Sequence, residues 1–292
     1  MSIPRPNFSQ SQLNDIVLLT KYLNLKNRLL EFPKVLIGFS GGVDSTLLMG
    51  IARETLGKER VLACLAVGPS LPKQEQKDAI RLARLLDVTI KEYSATEFDN
   101  PDYVKNGPDR CFHCKADLFQ HLQLFAKNQV GARLLYGGNA DDIGDFRPGR
   151  RAALDYGALA PLAEVGLTKF EVRALSKAFS LPTADKAAQP CLSSRIPYGS
   201  SVNPSKLAMI EAGEILLGQM GFREYRLRHF GETARIEIPL DQFGIFELSN
   251  RKQTLLENLK KIGFTNMEID PEGFRSGSLN ENLSENQKNR FT

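Results

Sequence analysis

Residues 34–45, which read Lys-Val-Leu-Ile-Gly-Phe-Ser-Gly-Gly-Val-Asp-Ser, decide the fold of this 292-residue chain. Lys34–Phe39 is a short apolar run typical of a buried strand, and Val43–Leu56 then predicts a helix. The glycines between them allow a tight turn in which successive N–H groups point at one spot. The N-terminus of the helix adds partial positive charge there. The stretch therefore predicts an anion-binding turn at the end of a strand.

Polar side chains in this turn point to a polyphosphate ligand. The hydroxyls of Ser40 and Ser45 can donate to phosphate oxygens, and the Asp44 carboxylate can hold a Mg²⁺ ion that bridges them. Neither the Gly-Lys-Ser/Thr ending of a Walker A loop nor a G-x-G-x-x-G pattern is present. The alternative is a turn whose glycines serve only the backbone conformation.

Strands and helices alternate through the first two thirds of the chain. Further strands are predicted at 61–67, 88–93 and 133–136, with helices at about 72–86 and 117–128. The strands are apolar on both faces, so we expect an α/β fold with a parallel sheet covered on both sides.

The predicted domain boundary lies near Ser201. Residues 15–200 are predicted to form the nucleotide-binding domain, which includes a helix from Thr168 to about Ser180 and a loop over 183–201. Thr168 and Glu171 have the spacing of a capping box. Residues 201–272 read as helix, two strands, helix and strand, which indicates a smaller C-terminal α+β domain. Residues 273–292 are rich in Ser, Asn and Glu, and we predict a disordered tail.

Composition excludes several classes of protein. The chain is 42% hydrophobic, enough to bury a core, and 38 basic against 34 acidic residues give a net charge of only +4. No run approaches the roughly 18–20 apolar residues of a membrane span, and Met1–Asn14 has no apolar signal-peptide core. We therefore expect a cytoplasmic protein without a membrane partner, and we do not expect a nucleic-acid partner. Three histidines argue against a multi-histidine metal site.

The four cysteines should be reduced thiols in that compartment. Cys111-Phe112-His113-Cys114 places two thiols one turn apart, which favours a metal, a cluster or redox chemistry, with unligated thiols as the alternative. Zinc would need four ligands. Cys191 is a third candidate, whereas Cys64 lies inside an apolar strand and is interpreted as a buried hydrophobe. Three thiolates around a [4Fe–4S] cluster would leave one iron for a sulfide, unless His113 is a ligand instead.

The Ser40–Ser45 turn resembles the SGGxDS signature of the PP-loop ATP pyrophosphatases, which include GMP, NAD and asparagine synthetases and tRNA thiolation enzymes. The resemblance implies an adenine nucleotide alpha hydrolase-like fold. It also implies that ATP is cleaved between its α and β phosphates and that the substrate is adenylated. Gly138, Asn139 and Asp142 are similar to the superfamily's Gly-x-Asn-x-Asp segment near the nucleotide. Pro161–Arg173 is similar to the segment that follows the core in GMP and NAD synthetases.

A longer resemblance, over about residues 15–270, is to the LarE family of sulfur-inserting enzymes. It is carried by Pro108–Lys115, Cys191–Gly199 and Arg226-Leu227-Arg228. It implies an ATP-dependent sulfurtransferase that adenylates the carboxylates of pyridinium-3,5-biscarboxylic acid mononucleotide and converts them to thiocarboxylates for the nickel-pincer cofactor.

Members with a single cysteine use the residue matching Cys191 as a sacrificial donor. Cys111 and Cys114 are additional here, and the resemblance to members with three such cysteines implies a [4Fe–4S] cluster held by all three, which favours sulfide on the cluster as the sulfur donor.

A substrate with a phosphate and two carboxylates needs cationic ligands. Arg226 and Arg228 lie two apart on one face of a predicted strand, and Arg195 follows the cysteine loop. Their planar guanidinium groups suit phosphate and carboxylate oxygens, although surface arginines are often only solvated. By family position, Glu214 and Glu237 are candidate acidic metal ligands, with solvated surface residues as an equal alternative. The family also implies a homo-oligomer.

Three other functions compete with this hypothesis. A tRNA 2-thiolation enzyme shares the loop and often a cysteine trio. It would need a basic, aromatic-rich surface to read RNA, and this chain has no Trp. An amidating ligase that uses ammonia needs no cysteine trio. A nucleotide-sensing module would bind ATP without turnover.

Overall fold

A computed structural model of the chain describes residues 5–13, 15–127, 129–144, 147–246, 250–275, 277–279 and 283–284. The chain divides into two compact units. The first contains the described residues of Met1–Glu97 and Cys111–Gln189, and the second those of Phe98–Arg110 and Pro190–Lys288. No helix among the described residues has the length and apolar character needed to cross a membrane.

The helices and strands are numbered in chain order. They are α1 Gln10–Leu13, α2 Ile16–Leu30, β1 Lys34–Gly38, α3 Val43–Leu56, β2 Val61–Val67, α4 Lys73–Leu85, β3 Thr89–Ser94, α5 Pro101–Val104, α6 Arg110–Ala126, β4 Ala132–Tyr136, α7 Pro148–Asp155, α8 Pro161–Glu164, α9 Lys169–Ala178, α10 Pro204–Gln219, β5 Arg226–Phe230, β6 Thr233–Glu237, α11 Arg251–Ile262 and β7 Asn266–Ile269.

The first unit has a parallel sheet, with the order β3-β2-β1-β4 in the described part of the chain. Strand β1 pairs with β2 through Val35 and Val61, and with β4 through Gly38 and Tyr136. Parallel strands need crossover connections, which the intervening helices supply. The α/β fold class with a parallel sheet is confirmed.

Both faces of this sheet are covered by helices. Because side chains alternate along a strand, Val35 and Ile37 of β1 face one core, together with α2, α3 and α9. Leu36 faces the other core, together with residues of α6 and α7. Each face therefore buries its own apolar cluster, as the apolar strands predicted.

The second unit has a smaller sheet with the order β5-β6-β7. Strands β5 and β6 are antiparallel, with Leu227 opposite Ile236, and β6 and β7 are parallel. Helices α10 and α11 contribute buried leucines, among them Leu217 and Leu259. The predicted succession of helix, two strands, helix and strand matches these elements.

The compact units do not divide the chain at the predicted boundary near Ser201. The second unit contains Phe98–Arg110 and resumes at Pro190, whereas the sequence predicts that Phe98–Arg110 and residues 190–200 belong to the nucleotide-binding domain. The physical reason is a set of hydrogen bonds between positions about ninety residues apart in the sequence, including Val202 N to Val104 O at 2.9 Å. Sequence periodicity carries no signal for such pairings.

The predicted disordered tail also needs correction. Ser278 is buried, and its hydroxyl donates to Glu237 Oε1 at 2.9 Å. Leu283 is buried too. The prediction therefore fails for 273–275, 277–279 and 283–284, and the rest of the predicted tail lies outside the described residues.

Candidate functional site

The turn between β1 and α3 has the geometry of an anion cradle. Gly41 adopts φ +71°, a left-handed conformation that favours glycine, whereas Gly42 is extended with φ −79° and ψ 166°. The hydroxyls of Ser40 and Ser45 lie 3.1 Å apart, and Ser45 Oγ donates to Gly42 O at 3.2 Å. Both hydroxyls therefore sit at the start of α3, beside N–H groups that have no partner within the helix.

The end of β4 packs directly against this cradle. A Cβ atom on Gly137 would lie 2.6 Å from Ser45 N and 2.9 Å from the Asp44 carbonyl carbon. Only glycine permits so close an approach of two backbones. The Gly137-Gly138 pair, which the sequence places after β4, thus holds the first turn of α3 against the sheet.

Asp44 is held by two side chains from other parts of the first unit. Asn139 Nδ2 donates to Asp44 Oδ1 at 3.0 Å, and Lys169 Nζ donates to Asp44 Oδ2 at 2.5 Å. The Asp44 side chain is 18% exposed and that of Lys169 is 39% exposed. The structure therefore brings a carboxylate and an ammonium group together at the cradle, within reach of solvent.

The predicted residues after β4 divide into two roles. Asn139 reaches Asp44, as described above. Asp142 accepts the Asn139 N–H at 3.0 Å and Asn139 Oδ1 accepts the Asp141 N–H at 3.0 Å, so this short turn caps itself. Gly138 O accepts a hydrogen bond from Ala163 N at 3.2 Å, which ties the segment to α8.

Lys169 was missed by the sequence reasoning, although it lies in the Pro161–Arg173 stretch that was singled out. Helix α9 begins at Lys169 after the capping box of Thr168 and Glu171, which the structure confirms. The Lys169 N–H donates to Asp141 Oδ2 at 2.8 Å, so the first residue of α9 is fixed against the turn after β4. A lysine at a helix start is unfavourable for the helix dipole, and that mismatch was the available signal.

A second lysine touches the cradle. Lys186 Nζ donates to Gly41 O at 3.2 Å and to Glu75 Oε2 at 2.6 Å. Arg173 donates to the carbonyls of Ala184 and Lys186 at 2.6 and 2.9 Å, which fixes the backbone beneath this lysine. Two ammonium groups therefore lie at the turn, and each has a carboxylate partner: Lys169 pairs with Asp44, and Lys186 with Glu75.

The cysteines fall into two units. Cys111 and Cys114 occupy the first turn of α6 at i and i+3, on one face of the helix, and belong to the first unit. Cys191 belongs to the second unit. Cys64 is buried, as predicted, and burial raises the pKa of its thiol to about 12, against a smaller opposing effect of Lys91. Among the residues that the structure describes, no group of three or more His, Cys, Asp or Glu side chains is placed to hold a metal ion.

The loop that carries Cys191 is fastened by Arg195. This side chain is 1% exposed, and its guanidinium forms a bidentate pair with Glu214, at 2.9 Å and 3.1 Å. The same guanidinium donates to the carbonyls of Pro190 and Cys191 at 2.6 and 3.2 Å. Arg195 and Glu214, the predicted ligands of substrate and metal, are thus partners of each other, and Arg195 shapes the cysteine loop.

Arg228 is the centre of a second buried pair. Arg228 Nη2 donates to Glu237 Oε2 at 2.7 Å and to Ser278 Oγ at 2.8 Å, and Nη1 donates to Ser194 O at 2.8 Å. Arg228 Nε is buried and has no hydrogen-bond partner among the described residues. Glu237, like Glu214, is therefore paired with an arginine in this structure.

Arg226 lies two residues before Arg228 on the same face of β5. It is 8% exposed, and the Phe274 ring lies 5.1 Å from its guanidinium carbon. Burial, and to a smaller extent repulsion from Arg195, lowers the pKa of Arg226 to about 10. Desolvated arginines close to one another form a region that an anion would stabilise.

Comparison with known proteins places this arrangement in a family. Residues 16–109 match the family model for NAD synthase. The chain is 33% identical over 275 residues to pyridinium-3,5-bisthiocarboxylic acid mononucleotide synthase of Lactiplantibacillus plantarum, which covers 94% of this chain and 99% of that protein. It is 38% identical over 265 residues to the uncharacterized protein slr1717 of Synechocystis sp., covering 91% of this chain and 98% of that protein. The NH(3)-dependent NAD(+) synthetase of Pyrobaculum aerophilum is 39% identical over 75 residues, 26% of this chain and 28% of its own length.

Proposed function

The chain belongs to the LarE family, the pyridinium-3,5-bisthiocarboxylic acid mononucleotide synthases with a PP-loop ATP-binding domain, and on that premise we propose that it adenylates the carboxylates of pyridinium-3,5-biscarboxylic acid mononucleotide and converts them to thiocarboxylates. The observation that carries the proposal is the cradle of the first unit, in which Asn139 and Lys169 hold Asp44 beside the N-terminus of α3.

Adenylation makes a carboxylate reactive, because its own leaving group would otherwise be oxide. A carboxylate oxygen of the substrate attacks the α-phosphorus of ATP, and the bond from that phosphorus to the oxygen bridging to the β-phosphorus breaks. The electron pair leaves with pyrophosphate. The N–H groups at the start of α3 and the ammonium groups of Lys169 and Lys186 stabilise the negative charge that develops on pyrophosphate.

Asp44 fits a role as the Mg²⁺ ligand of this reaction. It is a partly exposed carboxylate at the cradle, and Mg²⁺ prefers carboxylate and phosphate oxygens. When bound, Mg²⁺ supplies charge neutralisation on the phosphates. The Asp44 carboxylate would exchange Lys169 for the ion, which frees the ammonium group for a phosphate oxygen.

Sulfur delivery rests on the thiols. Cys111 and Cys114 share one face of the first turn of α6. We propose that these two and Cys191 hold a [4Fe–4S] cluster, which when bound supplies a sulfide for attack on the acyl adenylate. Attack forms a C–S bond, breaks the C–O bond to AMP and releases AMP with the electron pair. A sacrificial Cys191, which would end as dehydroalanine, is the alternative route.

Arg226 and Arg228 are proposed to bind the acidic substrate. Their burial and the unsatisfied Arg228 Nε support an anion site, because a buried donor without a partner costs free energy that an anionic ligand would recover. Arg195 belongs to the same proposal, because its hydrogen bond to the carbonyl of Cys191 keeps its guanidinium beside the cysteine loop. Cytoplasmic location and a homo-oligomeric state remain predictions.

The test uses the full-length protein purified without oxygen, with ATP, Mg²⁺ and the mononucleotide. Pyrophosphate and thiocarboxylate are quantified for the wild type and for Cys111→Ala, Cys114→Ala and Cys191→Ala, with iron and sulfide analysis. We expect both products in the wild type, and loss of thiocarboxylate but retention of pyrophosphate formation in the variants. A loss of about 34 Da at Cys191 after turnover identifies the sacrificial route. Absence of both products, or tight binding of tRNA instead, refutes the proposal.

A further inference from the structure

The segment Phe98–Arg110 supplies three buried polar side chains to the loop that carries Cys191. Tyr103, Asn106 and Arg110 are 1%, 0% and 4% exposed. Buried polar groups in proteins are hydrogen-bonded, because an unpaired one costs free energy. Where the hydrogen bonds of these three residues go therefore shows what the segment holds in place.

Asn106 directs its side-chain amide nitrogen to this loop. Nδ2 lies within hydrogen-bond distance of the carbonyls of Ile196, Pro197 and Ser200, at 3.2, 2.8 and 2.9 Å. Its backbone carbonyl accepts from Gly199 N at 3.0 Å. Asn106 also has φ +59°, a left-handed conformation that non-glycine residues adopt rarely and asparagine tolerates best.

Arg110 and Tyr103 also bond the 191–200 loop, at a position closer to Cys191. Arg110 Nη1 donates to Asn106 Oδ1 at 2.6 Å and to Ser193 O at 2.8 Å. The Tyr103 hydroxyl shares a hydrogen bond of 2.7 Å with Ser193 Oγ, and Ser193 is fully buried. Ser193 is two residues from Cys191, so these contacts fix the backbone next to the thiol.

We propose that Tyr103, Asn106 and Arg110 are positioning residues for Cys191, and that they hold the 191–200 loop in the geometry required for sulfur transfer. None of them is proposed to touch the substrate. Arg110 is also the sequence neighbour of Cys111, so the same segment leads into the Cys111-Phe112-His113-Cys114 pair. The effect of these residues on sulfur transfer rests on the proposed function, whereas their effect on the geometry of the 191–200 loop does not.

The structural consequence is tested by alkylation of the full-length protein with iodoacetamide, after removal of bound iron with a chelator. Rates at Cys191 and Cys114 are measured separately by peptide mass spectrometry. Asn106→Gly keeps a residue that accepts the left-handed backbone and removes only the amide. We expect the rate at Cys191 to rise at least about fivefold, the change that about 1 kcal/mol would produce, while the rate at Cys114 stays within about twofold. Tyr103→Phe should raise it in the same direction.

The matched control is Gln242→Ala. Gln242 is 6% exposed, belongs to the second unit and accepts from Arg223 N at 3.1 Å, and among the described residues no hydrogen bond joins its side chain to the 191–200 loop. We expect its Cys191 rate to equal that of the wild type. An unchanged rate in Asn106→Gly, or an equal rise in Gln242→Ala, overturns the proposal, because the effect would then be absent or a general loosening.

The catalytic consequence is read as a split between two half-reactions. In Asn106→Gly we expect ATP-dependent pyrophosphate formation within about twofold of the wild type and thiocarboxylate formation at least about tenfold lower, which converts to about 1.4 kcal/mol. Equal thiocarboxylate formation despite faster alkylation overturns the role in transfer. If the wild type itself makes no thiocarboxylate, the proposed function fails, and the alkylation result alone decides whether Tyr103, Asn106 and Arg110 position Cys191.

Discussion

Replacement of Gly42 by alanine separates the stability of the cradle from its ability to bind a nucleotide. Gly42 has φ −79° and ψ 166°, which any residue adopts. An added Cβ would meet only Ser40 Oγ, at 3.4 Å, an ordinary contact. The folded state therefore accepts the methyl group. The change in the free energy of unfolding should be below about 1 kcal/mol, because alanine is a poorer helix cap than glycine but has less freedom in the unfolded chain.

Nucleotide binding should respond very differently. The methyl group would stand beside the N–H groups at the start of α3, where a phosphate oxygen must approach within hydrogen-bond distance. Losing one hydrogen bond to a charged group costs about 1.5–3 kcal/mol, which weakens ATP affinity by about 10- to 100-fold. Isothermal titration with Mg·ATP measures that loss, and the shift of the melting temperature, about 4 °C at most, measures stability.

Gly50→Ala is the matched control for this variant. Gly50 lies in the same helix, α3, and its added Cβ would meet Leu86 at 3.7 Å, which is ordinary van der Waals contact. It should stabilise the helix by up to about 1 kcal/mol and leave ATP affinity unchanged. If Gly42→Ala binds Mg·ATP within twofold of the wild type, the cradle does not hold the triphosphate and the reasoning fails.

Three further variants test other parts of the structure. Lys169→Gln should change the free energy of unfolding by less than about 1 kcal/mol, because the Lys169–Asp44 pair is partly exposed. The same variant should lower the rate of pyrophosphate formation at least about tenfold. An unchanged rate refutes the proposed role of Lys169 in adenylation. Glu237→Gln leaves the buried Arg228 with a neutral partner and should cost about 3 kcal/mol, so an unaltered urea midpoint would contradict the pairing. Burial, opposed by the Ser70 hydrogen bond, raises the pKa of Glu97, so its stabilising contribution is full below about pH 4 and declines as pH rises through the folded pKa. Urea denaturation measures the free energy of unfolding of the wild type and of Glu97→Gln at pH 5 and pH 8. Relative to the wild type, the variant should be more stable at pH 8 than at pH 5. An equal difference between the two proteins at both pH values would exclude the raised pKa.

Local sequence predicted the elements that depend on local physics. The apolar runs of β1 and β2, the glycine turn and the capping box at Thr168 are encoded within a few residues, and all of them are confirmed. Helix α7 also had a local signal, because Pro148 occupies its first turn, a position that proline favours, yet it was not predicted. Helix α6 begins at Arg110, seven residues before its predicted start.

The parts that escaped prediction depend on distant partners. Lys169 and Asp44 are 125 residues apart, and Arg228 and Ser278 are 50 apart. Neither contact can be predicted from the periodicity of the sequence, because each depends on the tertiary fold that brings two distant segments together. The same reason explains why Asn106, an unremarkable loop residue in the sequence, is fully buried on the Cys191 loop.

The charges at the cradle explain how a carboxylate can be kept where a polyphosphate must bind. An unpaired Asp44 would repel the phosphates, and a half-buried carboxylate without partners costs free energy. Asn139 and Lys169 each donate to one of its oxygens, and the ammonium group of Lys169 balances the charge of the carboxylate. Under the proposed function, binding of Mg·ATP would leave no charge unpaired, because Asp44 would exchange its ammonium partner for the metal and the ammonium group would take a phosphate oxygen. Because Lys169 is also the first residue of α9 and is tied through its N–H to Asp141, this exchange needs movement of one side chain and not of the backbone. In the proposed adenylation, negative charge would shift toward pyrophosphate, and donors already held at the cradle would stabilise it without a rearrangement of the backbone.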